Sequence, residues 1–370
     1  MAIRIVPYTP EYAGEAQAFN ERLRAKGQTE FLLSERAIET EPETAAIRNF
    51  YSLALEDDAV RGGFLLASYP AEFANGEQTT VLNAREPLSE GLIDPKYSLL
   101  ALRLLKQMQG QGKYLFALGM GSEEARFTRL LRGAGWTIRP VPFFFRVIRA
   151  GRFLRELQLL KRSGAKRALA SIASRSGAGK LGISALQWRA MSAAMRRGNL
   201  QIENVTEWGP WADQLWQEFR SQCSFAVRRD GRTLRDLYQL GRDRSEAFVI
   251  KRSGQPVGWV AAQNSRMQSH NYFGNMRVAT ILDGVCPPEL MPAAVSLATR
   301  VLAREGADLV VANFSHAQWT HALPSAGFLT TRSNYILATN KALTEDASKQ
   351  PGGLDHLHFT RGDGDGRGHL

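Results

Sequence analysis

The sequence predicts a mixed α/β fold that consists of two tandem copies of one domain, and two observations support this prediction. A set of landmarks recurs in the same order in the two halves of the 370-residue chain. In each half an amphipathic helix is followed by a glycine and a short apolar run, which is typical of a helix that leads into a buried central strand. Antiparallel strands are predicted first and a β-α-β-α-β run after them, so we expect mixed sheets covered by helices.

The most specific landmark of the repeat is a helix end followed by a glycine and an aromatic residue. It recurs 192 residues later with the same spacing. The matched residues are Phe127-Thr128, Leu131 and Ala134-Gly135-Trp136 in the first copy, and Trp319-Thr320, Leu323 and Ala326-Gly327-Phe328 in the second. Three further landmarks repeat at similar offsets, and four matches in one order indicate a duplication.

The first elements of each copy are an opening strand and a later apolar strand. Residues 3–8 and 200–205 are the predicted opening strands, and each runs into a helix. The later strand contains a glycine followed by an aromatic residue in both copies. These pairs are Gly63-Phe64 and Gly258-Trp259.

The helix before the central strand has one apolar face in each copy, because its apolar residues recur at i, i+3, i+4 and i+7. In the first copy these residues are Tyr97, Leu100, Ala101, Leu104, Leu105 and Met108. In the second copy they are Leu290, Ala294, Leu297, Ala298, Val301 and Leu302. The runs 114–118 and 309–312 that follow are expected to be buried central strands.

These patterns predict four parts of the chain. Residues 1–150 are the first copy, 151–199 a basic helical linker, 200–340 the second copy and 341–370 a flexible tail. The net charge of +11 lies almost entirely in one stretch, because residues 151–200 contain eleven Lys and Arg side chains and a single acid, Glu156. Two interpretations of this stretch remain open. It is either a docking surface for anionic lipid, a polyanionic glycan precursor or RNA, or a solvated linker packed on its apolar side.

Composition excludes several classes of protein. The chain has no run of about 18 apolar residues, so we expect no membrane span. Its first residues lack the apolar stretch of a signal peptide. Cys223 and Cys286 are its two cysteines, which fits a reducing compartment and argues against a cysteine metal site. His316 and His321 are five residues apart and do not share a helix face, so no metal is expected. We therefore expect a cytoplasmic protein.

The order of elements, with a last helix that ends in Gly-Trp or Gly-Phe before a final strand, resembles the GNAT superfamily of acyl-CoA-dependent acyltransferases. The resemblance covers residues 1–150 and about 200–340. Two such domains in tandem are also similar to the FemAB type of peptidoglycan aminoacyltransferase. Residues 358–366 are similar to the tails of tandem GNAT-like proteins from bacterial surface-polysaccharide loci.

The resemblance implies that acetyl-CoA or another acyl-CoA binds at the loop that precedes the amphipathic helix described above. Backbone N–H groups and the helix dipole hold the pyrophosphate there. In the first copy the implied cofactor-binding residues are Ile93, Pro95, Lys96, Ser98, Leu99, Leu100 and Ala101. The family pattern Arg/Gln-x-x-Gly-x-Gly/Ala appears here as Ser98, Ala101 and Arg103. In the second copy Pro287, Pro288 and Glu289 occupy the loop, so the first copy is favoured.

Acyl transfer from a thioester needs a base for the acceptor and an acid for the leaving thiolate. The resemblance implies a carboxylate base near the central strand. The candidates are Glu86 and Glu90 in the first copy and Asp283 in the second. The alternative is that these are solvated carboxylates at strand ends. The usual tyrosine acid is replaced by Leu131 and Leu323, so Tyr97 or water is the candidate acid.

The sequence thus predicts an acyltransferase that moves an acyl group, expected to be acetyl, from CoA to an amine or hydroxyl. A cell-envelope sugar or a lipid-linked intermediate is the expected acceptor, and a lipid-linked one would place the enzyme at the inner face of the membrane. Residues 151–199 are the candidate contact with an anionic membrane or tRNA. Two alternatives remain open, namely FemAB-like transfer from aminoacyl-tRNA and a non-catalytic pair of domains that binds acyl-CoA or an anionic surface.

Overall fold

The structure is a computed structural model that describes most of the chain in several stretches. The described residues are 3–29, 31–37, 42, 44–119, 121–156, 199–240 and 245–364, with the side chains of Glu86 and Leu154 left out. Within these stretches, no helix has both the length and the apolar character that crossing a membrane requires.

The described residues of the first half contribute seven strands and four helices. The strands are β1 (Arg4–Pro7), β2 (Arg48–Glu56), β3 (Ala59–Phe73), β4 (Gln78–Ser89), β5 (Tyr114–Leu118), β6 (Thr137–Pro140) and β7 (Phe143–Val147). The helices are α1 (Ala13–Ala25), α2 (Leu100–Gln109), α3 (Arg126–Gly133) and α4 (Ala150–Glu156). The predicted apolar face of α2 is confirmed, since Leu100, Leu104, Leu105 and Met108 are buried.

The second half contributes nine strands and five helices among the described residues. The strands are β8 (Leu200–Asn204), β9 (Phe225–Val227), β10 (Ser245–Arg252), β11 (Gln255–Arg266), β12 (Arg277–Val285), β13 (Leu309–Ala312), β14 (Leu329–Thr331), β15 (Ile336–Thr339) and β16 (Leu357–His358). The helices are α5 (Pro210–Phe219), α6 (Gly231–Leu237), α7 (Met291–Arg304), α8 (Ala317–Ser325) and α9 (Lys341–Ser348).

These strands form two mixed sheets, and the arrangement of strands along the main path of each sheet is the same. The first sheet runs β1-β2-β3-β4-β5-β15-β6, and the second runs β8-β10-β11-β12-β13-β7-β14. The pairs β4–β5 and β12–β13 are parallel, and the other pairs along these two paths are antiparallel. The predicted α/β class with mixed sheets is therefore confirmed, and α2 and α7 occupy equivalent places after β4 and β12.

Along these two paths, each sheet contains one strand from the other half of the chain, and β9 and β16 of the second half also join the first sheet through β3. Strand β15 lies between β5 and β6 in the first sheet, and β7 lies between β13 and β14 in the second. The predicted boundaries near residues 150 and 200 therefore divide the chain along its sequence, but they do not separate the strands of one sheet from those of the other. An apolar strand pattern indicates burial in a sheet, and it does not indicate which sheet the strand joins.

Residues 341–364 are folded, which corrects the expectation that residues 341–370 form a flexible tail. Helix α9 buries Leu343 and Ala347, and β16 pairs with β9, which itself pairs with β3 of the first sheet. The prediction rested on the polar, glycine-rich end of the chain. The apolar residues before that end, Leu357 and Phe359, are fully buried and hold the segment in the core.

The start of the basic stretch packs on the second sheet. The ring of Phe153 in α4 stacks on Phe145 of β7 at 6.4 Å, and Arg152 forms an ion pair with buried Asp308 at 3.5 Å. Residues 157–198 lie outside the described residues. The predicted contact of residues 151–199 with an anionic surface or tRNA therefore stays a prediction.

Candidate active site

The parallel strands β4 and β5 stop pairing partway along β4. Their register runs from Val81–Tyr114 to Asn83–Phe116, and β4 then continues to Ser89 paired with β3 but no longer with β5. We call the place where they separate the first gap. In open α/β sheets ligands bind outside the carboxyl ends of the strands. Because successive side chains alternate between faces, Leu82 and Ala84 pack with α2, whereas Asn83 lies on the opposite face.

The second sheet has an equivalent second gap, but a later part of the chain fills it. The pairing of β12 with β13 ends at Ile281–Ala312. Two residues further on, Phe314 forms a β-bridge with Thr360. The same segment also approaches β12, the strand that faces β13 across the gap. A Cβ added to Gly362 would lie 3.4 Å from Oδ2 of Asp283 on β12. Residues 357–364, here called the C-terminal segment, therefore close the second gap.

A matched pair of aromatic residues shows the same difference between the copies. Trp319 at the start of α8 is fully buried, stacks on Phe314 at 4.8 Å and leaves Gly284 of β12 no room for a Cβ. The equivalent residue in the first copy, Phe127, is partly exposed. The first copy is thus the more open of the two.

The loop before α2 presents unused backbone donors. The Asp94 carboxylate accepts from the Lys96 amide at 2.9 Å, and a short 3₁₀ turn spans Pro95–Tyr97. The bond that leads into α2 runs from the Arg103 amide to the Leu99 carbonyl at 3.2 Å. The first N–H groups of a helix have no partner within it, so the amides of residues 99–102 are available to an anion.

The predicted cofactor-binding residues lie together at this end of α2. Pro95, Lys96, Ser98 and Leu99 are exposed, Ile93 and Ala101 are half-buried, and Leu100 is buried in the core. The guanidinium of Arg103, where the family shows a small residue, donates to the carbonyl of Ile3.

Tyr97, the candidate acid, belongs to a cluster of side chains that no sequence pattern indicates. Its hydroxyl donates to Glu56 at 2.5 Å, and the Lys96 Nζ lies 3.0 Å from the same carboxylate oxygen. Burial raises the pKa of Tyr97, and the hydrogen bond to Glu56 adds to it. The hydrogen bonds from Tyr97 and Lys96 hold the pKa of Glu56 below its usual value. Tyr97 therefore keeps its proton at neutral pH, next to a carboxylate that stays ionised.

Glu90, a candidate base, is held by two arginines. Arg22 donates to one of its carboxylate oxygens at 2.7 Å and Arg61 to the other at 2.9 Å. Arg61 also lies 3.5 Å from Glu56, which links this carboxylate to the Tyr97 cluster. The side chain of Glu86 is not among those described, so its role as base stays a prediction.

No local signal in the sequence identifies Glu56, Arg61 and Arg22 as partners. Glu56 ends β2 just before a tight hairpin, in which Asp57 and Asp58 have positive φ values of 49° and 65°. Positive φ at both turn residues is typical of a type I′ hairpin. An acid before two aspartates suggests a charged turn. Its contact with Tyr97 arises only when the hairpin meets the loop before α2.

The corresponding loop of the second copy has fewer free donors. The amides of Leu290 and Met291 both bond to the carbonyl of Pro287, at 2.9 and 3.2 Å, and Pro292 has no N–H. The candidate base Asp283 is also engaged, because the fully buried Arg229 donates to it at 2.6 Å and Tyr238 donates at 2.9 Å. This arrangement is consistent with the first copy as the favoured one.

The Arg229 guanidinium also binds a second buried carboxylate, Asp363, through contacts of 2.7 and 2.8 Å. Burial pushes the pKa of Asp283 upward, but the charge of Arg229, the His358 ring 3.5 Å away and the hydrogen bond from Tyr238 bring it below the usual value. Burial raises the pKa of Asp363, and the neighbouring Asp283 charge adds to that rise. One cation thus holds two carboxylates inside the protein.

Three histidines lie beside this cluster. The ring of His316 is 4.9 Å from that of His356 and 5.9 Å from that of His358. His316 Nδ1 accepts from the Gln318 amide, so its Nε2 carries the proton and donates to the carbonyl of Gln222 at 3.0 Å. In the described part of the chain, no group of His, Cys, Asp or Glu side chains is placed to hold a metal ion.

His316 is expected to make the fold sensitive to acid. Burial, with His358 and His356 nearby, lowers its pKa from 6.5 to about 3. Between these values the unfolded chain binds a proton that the folded chain does not, so the free energy of unfolding falls as pH falls, by up to about 1.4 kcal/mol per pH unit. His316→Asn keeps a good helix cap and removes this titration. Urea unfolding from pH 7 to 4 should show a shallower decline in the variant.

The exposed His321 on the same helix is the control for this measurement. His321→Asn should leave the wild-type slope unchanged. Equal slopes for wild type and His316→Asn would contradict the prediction.

Comparison with known proteins supports the fold. No protein-family model matches the sequence, and no curated protein matches it. A GCN5-related N-acetyltransferase from Anabaena variabilis superposes with a TM-score of 0.51 at 11% identity, covering 91% of this chain and 72% of that one. A conserved protein of unknown function from Enterococcus faecalis V583 gives a TM-score of 0.53 at 10% identity, covering 95% and 75%. A tandem GNAT protein from the clavulanic acid biosynthesis pathway gives 0.48 at 13% identity, covering 92% and 99%.

The chain therefore has the fold of the GCN5-related N-acetyltransferases, which confirms the predicted fold class. At sequence identities this low, the superpositions establish the fold and not the activity. The resemblance to FemAB-type transferases stays a prediction.

Proposed function

We propose that the first copy binds an acyl-CoA and transfers its acyl group to an amine or a hydroxyl. The observation that carries this proposal is the first gap, which is bordered by the free amides of residues 99–102 and by the Tyr97–Glu56 pair. The second copy lacks this arrangement, because its gap is closed by the C-terminal segment and the amides of Leu290 and Met291 are engaged.

The anionic end of the acyl-CoA fits the start of α2. Free amides and the positive end of a helix dipole favour a phosphate at that position. Lys96 is the nearby cation, and its side chain is 60% exposed although it contacts Glu56. The absence of glycines does not obstruct this end of α2, because the side chains of Ser98 and Leu99 point into solvent, where Leu99 is 75% exposed.

The chemistry at the thioester needs a proton donor for the departing thiolate. Tyr97 holds a proton at its Oη, and the adjacent Glu56 and Lys96 fix the orientation of that hydroxyl. The family's usual tyrosine acid is a leucine here, Leu131, and Tyr97 would take over its role as proton donor. Glu90 is tied to two arginines, so Glu86 is the better candidate to take the proton of the acceptor.

The acceptor is proposed to be a cell-envelope sugar or a lipid-linked intermediate. This part rests on the similarity of residues 358–366 to tails of proteins from surface-polysaccharide loci. The basic residues 151–199 would then bring the enzyme to an anionic membrane surface.

Leu99→Glu is expected to weaken acyl-CoA binding by at least about tenfold, which corresponds to about 1.4 kcal/mol. The new carboxylate would lie where the phosphate binds, and like charges in contact cost several kcal/mol. The fold should tolerate the change, because Leu99 is exposed and an acid is favourable at a helix N-terminus. Calorimetric titration with acetyl-CoA and a long-chain acyl-CoA measures the affinity.

The matched control is Gln107→Glu, which places the same charge on an exposed residue near the other end of α2. It should bind like wild type. Equal losses in both variants would indicate a general effect of charge, and no loss in either would place the phosphates elsewhere. A wild-type protein that binds no acyl-CoA would favour a non-catalytic role.

A further inference from the structure

The C-terminal segment, residues 357–364, contacts both halves of the protein. On the side of the second sheet it forms the Thr360–Phe314 bridge and the ion pair between Asp363 and Arg229. Its fit there is tight, because a Cβ added to Gly362 would lie 2.1 Å from the Tyr238 hydroxyl. The segment therefore has one fixed path past the second gap.

On the side of the first sheet the segment touches the two residues that form the last β4–β5 pair. The Asn83 amide donates to the carbonyl of Asp363 at 2.8 Å. The ring of Phe116 packs on that of Phe359 with centroids 4.5 Å apart. These contacts lie on the face of the sheet opposite α2, because Asn83 and Phe116 alternate with the residues that face α2.

The contacts continue beyond the last pair. Arg85 donates to the carbonyls of Asp363 at 3.2 Å and Gly364 at 2.9 Å, and to the hydroxyl of Tyr69 at 3.1 Å. A Cβ on Gly364 would lie 3.1 Å from Leu118 at the end of β5. Main-chain atoms of residues 363 and 364 thus contact both strands at the first gap.

The position of these carbonyls depends on the Asp363 side chain. Its carboxylate accepts from the Thr360 amide at 2.9 Å and from Arg229, and this fixes the turn that contains Gly362. Asp363 and Arg229 are both fully buried, so water does not compete for these bonds. The anchor comes from the second half of the chain, and the carbonyls that it orients bind β4 of the first.

We propose that Asp363 is a positioning residue for the first copy. Through the carbonyls of residues 363 and 364 it holds Asn83 and Arg85, and thereby sets where β4 separates from β5. In this proposal the second copy contributes Arg229 and the C-terminal segment to the first copy, and it does not form an acyl-CoA site of its own. The inference rests on the proposed function only in taking the first gap as the place of acyl transfer.

The first test needs no ligand. Hydrogen exchange of the full chain should show that Asp363→Ala speeds exchange in peptides of β4, residues 78–89, by about tenfold or more. Asp363→Asn should restore most of the protection, because the amide oxygen still accepts from Arg229. Neither variant strands a charge, since Asp283 still pairs with Arg229.

The control for this test is Glu345→Ala, which removes an exposed ion pair with Lys341 on the surface of α9. It should leave the exchange of β4 unchanged. If Asp363→Ala loosens residues 357–364 alone and β4 stays protected, the inference is wrong. If Asp363→Ala fails to fold, Asn83→Ala provides the same test from the other side and should speed exchange in residues 357–364.

The second test separates positioning from the proposed function. Asp363→Ala should lower kcat for acyl transfer by about ten- to a hundredfold. Its acyl-CoA affinity should stay within about twofold of wild type, because α2 lies on the other face. A wild type without acyl-CoA binding would refute the proposed function and leave the exchange result standing. A wild-type enzyme that binds and turns over, with kcat unchanged in Asp363→Ala, would refute the positioning role alone.

Discussion

Arg229→Met is expected to lower the free energy of unfolding by about 3–5 kcal/mol, because it leaves buried carboxylates without their cation. Arg229, Asp283 and Asp363 are all inaccessible to solvent, and the guanidinium contacts both carboxylates within 2.8 Å. Methionine fills much of the same volume but supplies no charge and no donor. Chemical denaturation of the full chain, followed by circular dichroism, measures the loss.

The size of this loss should depend on pH. Without Arg229, burial and mutual repulsion would raise the pKa values of Asp283 and Asp363. A group whose folded pKa is raised contributes stability at low pH and loses it as pH rises. The difference between Arg229→Met and wild type should therefore be smaller at pH 5 than at pH 8.

Arg228→Met is the matched control, since it makes the same substitution one residue away. Arg228 pairs with Asp230, and its side chain is 26% exposed. Partly exposed ion pairs contribute about 0–1 kcal/mol, so the loss should be small. A loss of similar size in both variants would show that the burial of the Arg229 cluster has no special energetic weight.

Separating the two halves is expected to abolish folding of both. In a fragment of residues 1–156, β6 would lose its single neighbour β15, and β5 would have an unpaired edge. In a fragment of residues 199–370, β14 would lose its neighbour β7, and β13 would have the open edge. Unpaired edges in a sheet favour aggregation, so each fragment alone should be insoluble or unfolded.

Producing the two fragments together should restore a folded complex that purifies with one copy of each. Size-exclusion chromatography and thermal unfolding measure this outcome. A first fragment that unfolds cooperatively on its own would contradict the prediction, because it would show that the sheet does not need β15.

The two copies share a strand order and differ at their gaps. In the first, partly exposed Phe127 and the free amides before α2 leave access to the gap from one face. In the second, Trp319, Asp283 and the C-terminal segment occupy the equivalent space. Of two sheets with the same strand order, one thus has an open gap and the other a closed one, and the segment that closes the second gap also contacts the first.

The sequence by itself determined the repeated order of elements, the mixed α/β class and the apolar faces of the central helices. These features are local, because periodic spacing within about a dozen residues decides which face of a helix or strand is buried. The loop before α2 was predicted as a binding site through the resemblance to a known family, and not through periodic spacing.

Only the tertiary structure decided which strands pair, which carboxylates are engaged and where the chain end lies. Strands β7 and β15 have the same apolar character as their neighbours, so nothing in their residues indicates that they exchange sheets. Glu56 meets Tyr97 across 41 residues of chain, and Arg229 meets Asp363 across 134. Such contacts depend on how distant elements pack, and a glycine-rich end of the chain is buried here because the second gap accommodates it.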